Sequence, residues 1–390
     1  MRDDAGAATT RQPRLWRTGG AVGHRVFVEV GPLSTELGGD LPAVTVAYEA
    51  WGTLNADGDN AILVEHALTG DSHVVGAATP AHPSPGWWDG LIGPGCPLDT
   101  DHWYVVAANV LGGCQGTTGP SSPDPHGRAW GSRFPVVTIR DQVEVEARLA
   151  DALGVHRWAA VLGGSMGGMR ALEWAVTHPD RVASAIVLAS TAYATADQIA
   201  WSRPQLLAIR DDPAFAGGDY YDAVFPLTGM GHARQIAHIT YRAAGELAGR
   251  FGREPQRGED PVAGGRYAVE SYLDHHAAKL GDRFDPNSYL VLTEAMNHHD
   301  IGRGRGGWQA ALGRVTADLV VAGVTSDRLY PLHLSADMAA ARPGSRFVVI
   351  DSEHGHDGFL IERGAVGKLI RESLARNQYA RPSHSVPPIG

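Results

Sequence analysis

Short apolar runs recur along this chain with enough polar-patterned sequence between most of them for a helix. The runs Val44–Tyr48, Ala61–Glu65, Trp103–Ala107, Ala159–Leu162, Ala185–Ala189, Leu319–Gly323 and Phe347–Ile350 predict strands. They are nearly continuous in Val, Ile, Leu and Ala rather than alternating with polar residues, the pattern of strands covered on both faces in a mostly parallel sheet. Helical patterns between them make the fold class α/β.

One stretch breaks the rhythm. From residue 191 to 313 strand-like runs are scarce, and helical patterns take over at Ala233–Leu247, Ala268–Leu280 and Ser288–His298. An insertion of roughly 120 residues between two sheet strands predicts a helical cap over a site. The expected organisation is a loose arm over 1–20, an α/β core over 21–190 and 314–376, the cap over 191–313, and a Pro-containing tail over 377–390. No internal repeat is evident.

Composition narrows the function classes. The chain has 390 residues, 43% hydrophobic and 19% charged, which suits a globular protein with a full core. A net charge of −10 argues against a nucleic-acid or anionic-membrane partner. No run of apolar residues is long enough to span a bilayer, and Met1-Arg2-Asp3-Asp4 opens a polar stretch without a signal-like apolar core. Cys96 and Cys114 are too few for a disulfide framework, so a reducing cytoplasm is expected. No His/Cys spacing resembles a metal site, and His275-His276 and His298-His299 are expected at solvated helix positions.

The sharpest chemistry lies in Gly163-Gly164-Ser165-Met166-Gly167-Gly168, between the run Trp158–Leu162 and a helical pattern from Met169. This is G-x-S-x-G between a strand and a helix, the nucleophile elbow of the α/β-hydrolase fold. Glycines let the strained turn sit close to its neighbours, and the helix N-terminus favours developing negative charge on the exposed hydroxyl. In this fold the acid and the base follow the serine in chain order, in loops after later strands. Asp327 follows Leu319–Gly323, and Asp351, directly abutting Phe347–Ile350, is a weaker rival. His354 and His356 both follow that last strand; spacing leaves the two open, with Gly355 and Gly358 slightly favouring His356. An oxyanion hole would use the N–H of Met166 and one from the loop His66–Asp71, with Leu68 the candidate.

With these residues in view, the chain resembles the homoserine O-acyltransferase family of α/β-hydrolases, in its acetyltransferase branch of methionine biosynthesis. The resemblance spans about Val30 to Leu374. Segments that carry it include Tyr48-Glu49-Ala50-Trp51-Gly52, His66-Ala67-Leu68-Thr69-Gly70-Asp71-Ser72-His73, Asn109–Pro120, Phe134–Asp141, Gly163–Ala175, Gly218–Tyr221, Val269–Leu273 and Gly355-His356-Asp357-Gly358-Phe359. It implies His356 as the base, Asp357 as the residue that holds the substrate amino group, and Arg234 with Tyr241 as the pair that receives homoserine.

The same resemblance implies ping-pong transfer from acetyl-CoA as co-substrate to L-homoserine through an acetyl-enzyme on Ser165, with no metal or prosthetic group and with a homodimer as the assembly. Three alternatives stay open at this point. The donor could be succinyl-CoA or the acceptor another hydroxyl such as serine; the chain could be an esterase or peptidase of the same fold; or it could be a binding module without turnover.

Overall fold

The protein is described here by a computed structural model over residues 15–380. Residues 1–14 of the expected arm and 381–390 of the expected tail lie outside the described residues. The last helix runs through Ala380, so the first residues of the expected tail are helical.

Eight strands form one mixed, mostly parallel sheet: β1 (Val26–Glu29), β2 (Thr45–Trp51), β3 (Ala61–Glu65), β4 (Tyr104–Ala108), β5 (Trp158–Gly164), β6 (Ser184–Leu188), β7 (Asp318–Val324) and β8 (Arg346–Ile350). Their order across the sheet is β1-β2-β4-β3-β5-β6-β7-β8. β1 pairs antiparallel with β2 and β2 antiparallel with β4; every later pairing is parallel. All seven runs expected as strands are strands here, within a few residues at each end. β1 was not expected: its residues are largely exposed at the sheet edge, so it lacks the apolar continuity of the others.

Alternate residues of the central strands feed two different cores, as the period of two requires. Leu63, Val161, Val187 and Val321 face one layer with α1 (Ile139–Leu153) and α2 (Met166–Thr177). Ile62, Leu162, Ile186 and Val320 face the other, against Val366, Leu369, Ile370 and Leu374 of the C-terminal helix (Arg363–Ala380) and against Trp88. Coverage on both faces is why these strands read as unbroken apolar runs. α1 has clear local stops: Thr138 and Asp141 form a reciprocal capping box, and Gly154 ends the helix with φ 73°.

Between β6 and β7 the chain leaves the sheet and builds α3 (Ala196–Arg210), α4 (Leu227–Tyr241), α5 (Ala244–Phe251), α6 (Ala268–Gly281), α7 (Pro286–Asn297) and α8 (Trp308–Leu312). A third apolar cluster joins this excursion to the sheet's loops: Leu206, Met230, Tyr289 and Leu292 pack with Leu68, Met166 and Tyr330. No helix among the described residues is long and apolar enough to cross a membrane.

Candidate active site

Ser165 stands between β5 and α2 with φ 58° and ψ −123°, a strained conformation for a residue with a side chain. Its backbone is held on both sides. Ser165 N–H donates to Leu188 O at 3.0 Å, and its carbonyl accepts from Ser190 Oγ at 2.9 Å. The neighbouring glycines are required by close approach: a Cβ on Gly163 would lie 2.6 Å from Glu65 O, and one on Gly167 would overlap the same oxygen.

Asp327 and His356 come together from the loops after β7 and β8. His356 Nδ1 and Asp327 Oδ2 are 2.7 Å apart, both residues buried. The other Asp327 oxygen accepts from the N–H groups of Leu329 and Tyr330 at 2.9 and 2.8 Å. A carboxylate that accepts on every side makes Nδ1 the protonated nitrogen and leaves Nε2 as an acceptor. Burial pushes the His356 pKa down, but the charge and hydrogen bond of Asp327 outweigh it and the net shift is upward. The rivals lie elsewhere. Asp351 is exposed and accepts from Thr325 Oγ1, while His354 pairs with Glu246 at 3.3 Å.

Tyr330 links these groups. Its ring stacks on His356 with centroids 4.9 Å apart, and its phenol interacts with the Ser165 hydroxyl. The sequence analysis did not single it out, because a tyrosine three residues past an acid in a loop carries no local signal. Leu68, in the loop after β3, packs in one apolar cluster with Met166, the first residue of α2 and the next after the serine. Among the described residues neither backbone N–H has a protein acceptor.

The end of α4 rests on the histidine loop. Gly355 has φ 67°, and a Cβ there would sit 2.6 Å from Tyr241 O. This contact carries Tyr241 to 5.8 Å from His356, ring to ring. Arg234 lies over the Tyr241 ring at 5.4 Å, with one weak hydrogen bond to Thr69 Oγ1 at 3.5 Å. Asp357 pairs with Arg242 at 3.1 Å, a partner the sequence analysis missed. Burial raises the Asp357 pKa against the opposing pull of Arg242. A cavity of about 40 Å³ opens beside these groups, lined by Leu68, Trp201, Gln205, Tyr241, Met296 and Tyr330 among others.

Two histidine expectations need correction. His275 and His298 are exposed, but His276 packs at a tilt against His238, ring centroids 4.0 Å apart, and His299 is buried, its Nε2 at 3.0 Å from Thr191 O. Adjacent helical residues point about 100° apart, which separates His275 from His276 on their helix, whereas His298 and His299 lie just past the end of α7. The fold also gathers Glu49, His73 and His82 into one buried cluster with no sequence spacing to announce it. Its two rings stack face to face, 4.1 Å apart and 11° from parallel, so their in-plane lone pairs do not converge on one ion. Arg25, a donor only, contacts His82 Nδ1, which turns the protonated Nε2 toward Glu49 at 3.3 Å. His73 Nδ1 faces the same carboxylate at 3.6 Å, and Ser72 Oγ donates to Glu49 at 2.8 Å.

This geometry can be set beside known proteins. The alpha/beta hydrolase fold family matches residues 60–362. Homoserine O-acetyltransferase of Thermobifida fusca is 63% identical over 93% of this chain and 96% of its own length. The chain belongs to the homoserine O-acetyltransferase family. Homoserine O-acetyltransferase from Bacillus anthracis superposes with a TM-score of 0.83 at 27% identity, covering 90% of this chain and 97% of that one. Esterase E22 gives 0.82 at 28% identity, covering 90% and 99%. One family scaffold therefore includes proteins named for acyl transfer and for ester cleavage, which puts the decision in the residues around the serine.

Proposed function

We propose that this enzyme moves an acetyl group from acetyl-CoA to the side-chain hydroxyl of L-homoserine, by way of an acetyl ester on Ser165. The observation that carries the reading is the buried His356–Asp327 pair at 2.7 Å, joined through Tyr330 to a serine held in a strained elbow. His356 Nε2 takes the Ser165 proton as Oγ attacks the thioester carbonyl, and the Met166 and Leu68 N–H groups receive the oxyanion. Collapse releases CoA, with His356 returning the proton. Homoserine then repeats the sequence with its own hydroxyl, and the acetyl ester leaves on the amino acid. Arg234 suits the homoserine carboxylate, because among the described residues its guanidinium makes one weak hydrogen bond and its fork fits two oxygens. Asp357 suits the amino group. No resident metal or prosthetic group enters these steps.

The small cavity supports acetyl over succinyl. None of its described lining residues is basic. A volume of about 40 Å³ suits a two-carbon acyl group better than a four-carbon one with a charged end. Location in the cytoplasm and assembly as a homodimer complete the reading; sedimentation velocity tests the latter.

Release of free CoA thiol from acetyl-CoA and from succinyl-CoA, each with and without L-homoserine, tests the whole. Homoserine-dependent release from acetyl-CoA alone is expected. The likeness to esterase E22 favours hydrolysis as the second reading, and homoserine-independent release at the full rate would establish it instead.

A further inference from the structure

Directly behind the elbow lies a buried ionic cluster that none of the steps above uses. Arg170, on α2 one turn past Met166, is fully buried. Its Nη1 lies 2.6 Å from Glu146 Oε1 on α1 and 2.6 Å from Glu65 Oε2 at the end of β3. Its Nη2 donates to the carbonyl of His66 at 2.7 Å. The other Glu146 oxygen accepts from Trp174 Nε1 at 2.9 Å. Burial, and the Glu146 carboxylate beside it, hold the Glu65 carboxyl well above the usual range against the pull of Arg170. The Arg170 guanidinium faces both carboxyl groups at once in a site closed to water.

The His66 carbonyl stands two residues before Leu68, in a loop where several neighbouring groups are also tied down. Glu65 O is pressed against Gly163 and Gly167 of the elbow. Ala67 O accepts from His66 Nδ1 at 2.8 Å and from Gly70 N–H at 2.9 Å. His66 Nε2 accepts from Val110 N–H at 3.1 Å. Burial, then the nearby Arg170 charge, lowers the His66 pKa to about 3, so the ring stays neutral and this tautomer is fixed. Among the described residues the Leu68 N–H has no protein acceptor.

We propose that Arg170 is a positioning residue for acyl transfer: by tying the His66 carbonyl to the helix that begins at Met166, it aims the Leu68 and Met166 N–H groups at one point. The inference rests on the reading of Ser165 as nucleophile and of these two groups as the oxyanion hole. Such donors act only within about 2.7–3.1 Å of the oxygen they stabilise, so a loop displaced by a fraction of that distance loses the interaction. The guanidinium suits the task because its rigid plane holds two carboxyls and a carbonyl at once. A lysine ammonium keeps the charge but not that span.

The test uses the full chain with Arg170→Lys and Glu146→Gln. For each, kcat, both KM values and the inhibition constant of a small alkylboronic acid are measured well below the melting temperature. The boronate's tetrahedral adduct with serine puts an oxygen into the oxyanion hole. Arg170→Lys should lower kcat about 10- to 100-fold. Both KM values should stay within about twofold, and boronate affinity should weaken in step with kcat/KM. Glu146→Gln, which keeps the volume of the side chain, should move the same quantities in the same direction by a smaller factor. It supplies the comparison if the lysine variant fails to accumulate. A purely structural role would lower the melting temperature and leave boronate affinity alone; unchanged affinity in the folded variants, with or without a fall in kcat, overturns the proposal. Failure of the underlying reading looks different: boronate would not bind the parent tightly, and Ser165→Ala would still turn over.

Discussion

At the scale of single residues, Ser165, His356 and Asp327 differ in how far their surroundings commit them. Ser165 is held by its backbone at φ 58°, so its conformation does not depend on the hydroxyl. Ser165→Ala should therefore fold with a melting temperature within a few degrees of the parent's while losing at least ~10³-fold in homoserine-dependent CoA release. His356 is committed by charge. Its pKa lies above the ordinary histidine value because Asp327 outweighs burial, and the base must be neutral to accept a proton. Activity should thus fall as pH drops through that raised value. Asp327→Asn removes the raising charge and allows the wrong tautomer. The acid limb of kcat/KM for acetyl-CoA should move to lower pH, and the plateau should drop by about 10²- to 10⁴-fold. A pH profile of CoA release reads both; an acid limb that stays in place would contradict the pairing. Ser165 was legible in the sequence because its motif is local. Spacing alone left His354 and His356 open, and the family resemblance pointed to His356; the physical reason lies in the packing, which sends one ring to Asp327 and the other to Glu246.

At the scale of elements, the elbow works because β5, α2 and the end of β3 approach more closely than side chains allow. Gly167→Ala would drive a methyl into the Glu65 carbonyl, which is backbone and cannot swing away. The expected cost is about 1–3 kcal/mol of stability, visible as a lower urea midpoint. The activity loss should be larger than that destabilisation explains, because the displaced strand end leads into the loop bearing Leu68. A variant that kept both the midpoint and kcat would show that the loop yields freely. The central strands were readable for a simple reason: burial on both faces makes them uniformly apolar. β1 was not, because an edge strand with mostly exposed side chains has no such signature. His299 was misread for the converse reason, since a polar residue buried against a backbone carbonyl looks in sequence like a solvated one.

At the scale of the whole molecule, the six helices between β6 and β7 set what reaches the serine. Gly355 lets the end of α4 settle on the histidine loop, which puts the Tyr241 ring 5.8 Å from His356, Arg234 over that ring and Arg242 on Asp357. Arg234→Ala should raise the KM for homoserine about 10- to 100-fold, the worth of a charge-assisted hydrogen bond or two. The burst of CoA that reports acetyl-enzyme formation should be little changed. Stopped-flow thiol detection separates the two, and an equal loss in both would mean that Arg234 serves the donor or the fold rather than the acceptor.

The sequence by itself determined what depends on neighbours along the chain: the strands, through continuous apolar runs; the elbow, through glycines at fixed offsets; and the long helical excursion, through the loss of strand-like runs. Tertiary structure alone decided what depends on residues far apart. It put His356 against Asp327, brought Tyr330 against both serine and histidine, gathered Glu49, His73 and His82, and set Arg170 between two carboxyls and the loop that carries Leu68. The division follows from the forces involved. Backbone propensity and periodic burial act over a few residues and leave a local imprint. Hydrogen bonds and ion pairs between distant side chains form only where the finished core excludes water, and they leave no periodic trace in the sequence.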